Sequence, residues 1–217
     1  MSGKGANSIC RKALITLLLA IPFAGCGIST TAYLYAPLNF SITPSAISIR
    51  NNGLNYEPSE GSDQTFLGID IYYRIFQNRQ DAETALSTVS SLRDGYLGNP
   101  DAFINYVEAQ EDFCYMRKAA TSARPGLEIS PASDESLHTI DTSSWKLDGT
   151  VQLVRNISRP ENSFLEKNFN EDDQDYEGST SIGGTFSMVL FAVSYGQDTI
   201  GAPVYSNPVV ASSILEF

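Results

Sequence analysis

Phe66-Leu67-Gly68-Ile69-Asp70-Ile71-Tyr72-Tyr73-Arg74-Ile75-Phe76 is the stretch on which the fold turns. Leu67, Ile69, Ile71, Tyr73 and Ile75 make one wholly apolar face, and Phe66, Gly68, Asp70, Tyr72, Arg74 and Phe76 make a mixed one. Neighbouring residues of a strand point to opposite faces of its sheet, so this period of two predicts a strand of a β-sandwich. A second such run spans residues 185–195 and precedes a Gly-Gln-Asp turn; shorter ones lie at 151–154 and 209–215. Upstream, residues 39–42 and 46–50 alternate around Pro44, which has no N–H to give a ladder, and read as an edge strand broken by that proline. Asn51-Asn52-Gly53 is a turn signal, and residues 55–64 read as a polar loop.

The middle of the chain changes period. From Asp81 the apolar residues Ala82, Ala85, Leu86, Val89 and Leu92 form a helical stripe closed by Arg93-Asp94-Gly95. Asn99-Pro100 then supplies a cap and a first-turn proline for a second short helix carrying Phe103, Ile104 and Val107. Residues 121–144, rich in Ser, Thr, Pro and Asp, read as a long loop. The expectation is a mainly β protein: one antiparallel sandwich over residues 38–217, with a small helical insertion at about 81–144. Strand aromatics (Phe66, Phe76, Phe186, Phe191) are assigned to the core, and Tyr33, Tyr35, Tyr56 and Tyr176, in polar stretches, to a recognition surface.

Charge and composition narrow the function. The 217 residues carry 14 Lys and Arg against 25 Asp and Glu, a net of −11, with one His and three Cys. Nucleic-acid binding through phosphate contacts needs a basic patch, so nucleic acid is excluded as a partner. Three cysteines build no disulfide framework, and one histidine builds no histidine-rich metal centre.

Residues 1–25 hold Lys4, Arg11 and Lys12, no acid, and an apolar run from Ala13 to Ile21 ended by Pro22. Nine residues at about 1.5 Å each do not cross a hydrocarbon layer of about 30 Å, so this is the pattern of a secretory signal. Its end, Phe23-Ala24-Gly25-Cys26, resembles the lipobox of bacterial lipoproteins. The resemblance implies cleavage before Cys26, acyl chains (palmitate among them) on that cysteine, and an acylated tether over residues 26–37. With Gly27 rather than an acid next, it further implies the outer membrane, on its periplasmic or surface face. Removal of residues 1–25 takes the net charge from −11 to −14 over 192 residues and leaves Cys114 as the one unblocked thiol.

Two later segments resemble fibronectin type III domains. Phe186-x-Met188-x-Leu190-x-Ala192-Val193-Ser194-x-Gly196 with Tyr205-Ser206-Asn207-Pro208-Val209 is similar to the last two strands of that fold, and Ile69-x-Ile71-Tyr72-Tyr73-Arg74 to its third. Phe186 replaces the family's corner tyrosine, and more than 60 residues replace a short connection. The 66–76 strand also resembles segments of uncharacterised spirochaetal lipoproteins.

Candidate chemistry is sparse. In Glu171-Asp172-Asp173-Gln174-Asp175-Tyr176-Glu177-Gly178, aligning Asp173, Asp175 and Glu177 with a calcium hand puts Gly184 where a bidentate carboxylate is required, so the hand fails and the run reads as a solvated acidic loop, a weaker surface calcium site being the alternative. His138 lies in a Ser- and Thr-rich stretch without a nucleophile elbow and reads as exposed. Cys114, flanked by carboxylates and aromatics, reads as buried and inert. No residue is assigned to catalysis, a metal or a cofactor. The expected function is a non-catalytic binding or structural module, tied to the membrane through Cys26 and meeting a protein or glycan partner with its loops or the 81–144 insertion. The alternatives are an envelope hydrolase with paired carboxylates and a carrier of a small apolar ligand.

Overall fold

The computed structural model describes residues 34–56, 64–121, 124–128, 135–160 and 162–217. The expected signal (1–25), Cys26 and Tyr33 lie outside these residues, as does most of the tether. In chain order the elements are β1 (Leu38–Thr43), β2 (Ala46–Arg50), β3 (Gln64–Phe76), α1 (Arg79–Gly95), α2 (Pro100–Gln110), β4 (Cys114–Tyr115), β5 (Arg117–Lys118), β6 (Leu127–Glu128) and β7 (Leu137–Asp141). There follow β8 (Lys146–Leu147), β9 (Val151–Val154), β10 (Asn168–Phe169), β11 (Tyr176–Glu177), β12 (Ser181–Ile182), β13 (Ser187–Asp198), β14 (Pro203–Tyr205), β15 (Val209–Val210) and β16 (Leu215–Glu216). The protein is mainly β, a sandwich of antiparallel sheets with a small helical insertion, as its alternating runs predict. No helix among the described residues is long and apolar enough to cross a membrane.

A two-stranded ribbon organises the rest. β3 and β13 pair antiparallel from Gln64↔Asp198 to Phe76↔Ser187. Short strands line both flanks: β6, β4 and, in parallel, β11 along β3; β14, β15 and β16 along β13. The second sheet has the order β1-β2-β7-β8-β9-β5. Between the sheets lie Ile69, Ile71, Tyr73 and Ile75 of β3 with Met188, Leu190 and Ala192 of β13, against Ile47, Ile49, Ile140, Leu147 and Leu153. The single tryptophan, Trp145, is buried there and stacks on Phe164 at 4.3 Å.

The ribbon's other face is equally apolar. Tyr72, Phe76, Val189, Phe191 and Val193 bury Ala82 and Val89 of α1 and Phe103, Ile104 and Val107 of α2. The rung Tyr72↔Phe191 stacks its rings at 4.7 Å, and Phe103 meets Phe191 edge-on at 5.2 Å. Both helices start where their caps indicate: Asn78 accepts the Gln80 N–H, and Asn99, followed by Pro100, accepts that of Ala102. Helices, ribbon and second sheet thus make three layers around two hydrophobic cores.

Five local expectations are corrected. Pro44 does not break a strand; it stands in the turn of a hairpin whose outer member, β1, is the edge. Residues 121–144 are not all loop, because β6 joins β3 and β7 lies between β2 and β8. The helical part of the insertion therefore ends at Gln110, and the strands β4 to β7 after it belong to the sheets. Gly196-Gln197-Asp198 continues β13 instead of turning, and the run 209–215 splits into β15 and β16.

The alternation of β3 also slips once. Between Tyr195 and Gly196 the register shifts, so Phe66 packs between the sheets and Leu67 packs on the helical side, the reverse of the simple pattern. Gly68 sits at this irregularity with φ +154°, and a Cβ there would lie 2.1 Å from the Leu127 carbonyl oxygen. Gly68→Ala should therefore separate β6 from β3 and cost about 3 kcal/mol, lowering Tm by roughly 6–12 °C. A thermal melt within about 2 °C of wild type would show that the β3–β6 approach is dispensable.

Candidate functional site

β3 carries polar groups to both of its faces. Tyr73 points between the sheets and ends on a buried ion network. Its hydroxyl donates to Asp175 Oδ2 at 2.6 Å and accepts from the Asn156 N–H at 2.8 Å. The Arg155 guanidinium grips both Asp175 oxygens, donates to Asp173 Oδ2 at 2.8 Å and lies over the Phe169 ring at 4.5 Å. Arg159 reaches the same Asp173 oxygen at 2.6 Å. Arg155 and Asp175 are wholly buried. Burial alone disfavours the Arg155 charge, but the hydrogen bonds and charges of its two aspartates outweigh it and hold the guanidinium protonated. Burial, then the Asp175 charge, pushes the Tyr73 hydroxyl well above its ordinary range, so it stays a donor.

The acidic run 171–178 is therefore only in part the solvated loop expected: Glu171, Asp172, Gln174 and Glu177 are exposed. Asp173 and Asp175 turn inward and serve as counterions to arginine, and Tyr176 is buried with its ring stacked on Phe169. Among the described residues no three His, Cys, Asp or Glu side chains are placed to hold a metal. Above the network opens a cleft of about 330 Å³ whose polar lining includes Asn156, Ser158, Arg159, Asn170, Asp172 and Gln174. Its floor is Asp173, fixed by two guanidiniums and by the Asn170 N–H. Amide, hydroxyl, carboxylate and guanidinium groups thus face one small space from a rigid base.

On the helical side of β3, Asp70 and Tyr72 meet Arg124. Its guanidinium donates to the hydroxyls of Tyr72 at 2.6 Å and Tyr205 at 2.7 Å and to Glu108 Oε1 at 2.7 Å. Asp70, wholly buried, accepts the Gly126 N–H through Oδ1, while Oδ2 faces Arg124 Nε at 3.4 Å without a hydrogen bond. Burial raises its carboxyl to about 6, against the opposing pull of the Arg124 charge and the Gly126 N–H. Sequence reading missed both arginine sites. Arg155 is 18 residues from Asp173 and Arg124 is 16 from Glu108, and no local spacing encodes pairs that only the folded sheets bring together.

The remaining expectations resolve individually. Cys114 is buried, and burial followed by the Asp175, Glu108 and Asp112 charges pushes its thiol up to about 12, which fits an inert cysteine. His138 is not in an exposed loop; it lies on β7, its side chain mostly covered, with Nδ1 2.7 Å from Asp148 Oδ2. Tyr56 is half-buried against Phe66, and Tyr35 stays half exposed. Of the proposed recognition tyrosines within the described residues, Tyr35 alone presents an open ring. Phe66, Phe76, Phe186 and Phe191 are all buried, as assigned. Comparison with protein-family models, with curated proteins and with solved structures finds no match to this chain.

Two measurements test these networks. Asp175→Asn leaves Arg155 buried and under-neutralised and should cost about 3–5 kcal/mol in denaturant unfolding, whereas a change under about 1 kcal/mol would show that the pair is not held as described. Asp70 works in the opposite sense. The folded state keeps its proton up to about pH 6, and the unfolded state releases it near 3.8. Between those values the folded state binds more protons, so this group's contribution is complete below pH 3.8 and falls as pH rises through 6. The stability difference between wild type and Asp70→Asn should shrink or reverse by on the order of 2–3 kcal/mol from pH 4 to 7.5, and a difference flat in pH would refute the assignment.

Proposed function

We propose that this chain is a lipid-anchored protein of the bacterial envelope, attached through acyl chains on Cys26, that binds a glycan in the cleft above Asp173. The cleft carries the reading. Its Asn156, Ser158, Arg159, Asn170, Asp172 and Gln174 mix donors with acceptors around about 330 Å³, a volume suited to a sugar unit or two and at the small end of ligand sites. Sugar hydroxyls are donor and acceptor at once, so a lining of mixed planar polar groups matches them better than an apolar partner surface does. The ion network below fixes Asp173 before any ligand arrives, which limits the ordering cost of binding.

Supporting a binding role, the carboxylates of both arginine networks are already engaged by cations: Asp173 and Asp175 are matched by Arg155 and Arg159, while Asp70 and Glu108 share Arg124. Asp70, whose raised carboxyl would suit a general acid, is wholly buried and covered by Arg124. The lipobox resemblance of Phe23-Ala24-Gly25-Cys26 and the basic, short signal before it support the anchor and an outer-membrane location. A fibronectin type III-like ancestry of the sandwich is supported by the side-by-side order of the strands that resemble that family's third, penultimate and last: β3, β13 and β14. With a net charge of −14 after cleavage, the domain would not adhere to anionic lipid by charge, so the acyl chains alone hold it there.

Two experiments on the same protein test location and binding separately. Cys26→Ser should move the protein from the membrane fraction to the soluble one, and continued partitioning into detergent would refute acylation. The soluble Cys26→Ser protein, screened against an array of envelope glycans, should bind a subset and lose at least about tenfold in affinity in Asn170→Ala and Asp172→Ala. Glycan binding unaffected by both substitutions, or none at all, would refute the cleft as the site.

A further inference from the structure

Four tyrosines of the ribbon and its flanking strands surround one cation. The Cζ carbon of Arg124 lies 3.8 Å from the Tyr115 ring centroid, 5.7 Å from that of Tyr72, 5.9 Å from that of Tyr205 and 6.0 Å from that of Tyr195. Tyr115 meets it ring-on, and Tyr72 and Tyr205 also through their hydroxyls; aromatic rings within about 6 Å attract a guanidinium or ammonium group through their quadrupoles, more strongly where water is excluded. Two carboxylates, Asp70 and Glu108, complete the enclosure. We propose that this cage is a binding site for the guanidinium or alkylammonium group of a partner, with Arg124 as its resident occupant in the free protein.

Three observations carry the proposal. The resident fits imperfectly: Asp70 Oδ2 is buried, aimed at the cage and without a hydrogen bond, and Arg124 Nε opposite it lacks one as well. A donor placed differently would gain an interaction that Arg124 does not make. The charges are also unequal, since two carboxylates meet a single guanidinium. Finally, the cage reaches the surface, because the Glu108 side chain is 36% exposed and that of Arg124 20%, while Tyr72 behind them is fully buried. Arg124 belongs to no helix or strand, so its exchange breaks no backbone ladder of its own. This site lies on the opposite face of β3 from the polar cleft and does not depend on the glycan reading.

The experiment titrates the folded, soluble Cys26→Ser protein with methylguanidinium and with methylammonium, reading near-ultraviolet tyrosine absorbance and Tm against potassium chloride at equal ionic strength. At least one of the two cations should give a saturable change with a millimolar midpoint, abolished by Tyr115→Ala. Adding Arg124→Ala vacates the cage and should tighten binding tenfold or more, as removal of an internal competitor requires. No saturable change up to about 50 mM, or binding that survives Tyr115→Ala, overturns the proposal. So does an Arg124→Ala protein that is folded and binds no more tightly. If that variant does not fold, the parent and Tyr115→Ala titrations decide alone.

Discussion

β3 has to satisfy two hydrophobic layers at once, and its pairing with β13 makes that possible. Because side chains alternate, each rung of the ribbon sends one pair of side chains toward the second sheet and the next pair toward the helices. Leu190↔Tyr73 faces one core and Phe191↔Tyr72 the other. Neither layer can move relative to the ribbon without exposing large apolar side chains, at about 25 cal/mol for each Å² uncovered. The short strands on both flanks mostly hydrogen-bond to β3 or β13 and not to one another, so their positions derive from it.

Strand, cap and helix were legible because their signals are local. Asn78 and Asn99 mark helix starts, the 82–92 stripe is a helix face, and β3 and β13 show their period directly. The reading failed where a distant group decides. Leu67 and Phe66 exchange faces because a bulge accommodates Gly68 against the Leu127 carbonyl, 59 residues away. Residues 137–141 look like polar loop because β7 keeps one wholly buried side chain, Ile140, and owes its place to the backbone ladders of β2 and β8.

The candidate sites illustrate the same limit through charge. A run with four acids in five positions reads as solvated until its counterions are known, and those come from the loop after β9. Buried ion pairs of this kind are costly to desolvate and tolerable only when every oxygen is engaged. Asp175 meets that condition through Arg155 and Tyr73. Asp70 does not, and its raised carboxyl is the electrostatic expression of that shortfall. The two arginine networks on either side of β3 thus hold the same residue type in opposite states of satisfaction.

The ribbon also dictates an order of events as the chain is made. β3 ends at Phe76 and β13 begins at Ser187, so over a hundred residues must be available before the first central rung can close. Until then α1, α2 and the β1–β2 hairpin have half of a surface to pack on, and contacts so far apart in sequence form slowly. A chain synthesised or threaded from its amino terminus therefore stays open until β13 emerges, and then acquires both cores together.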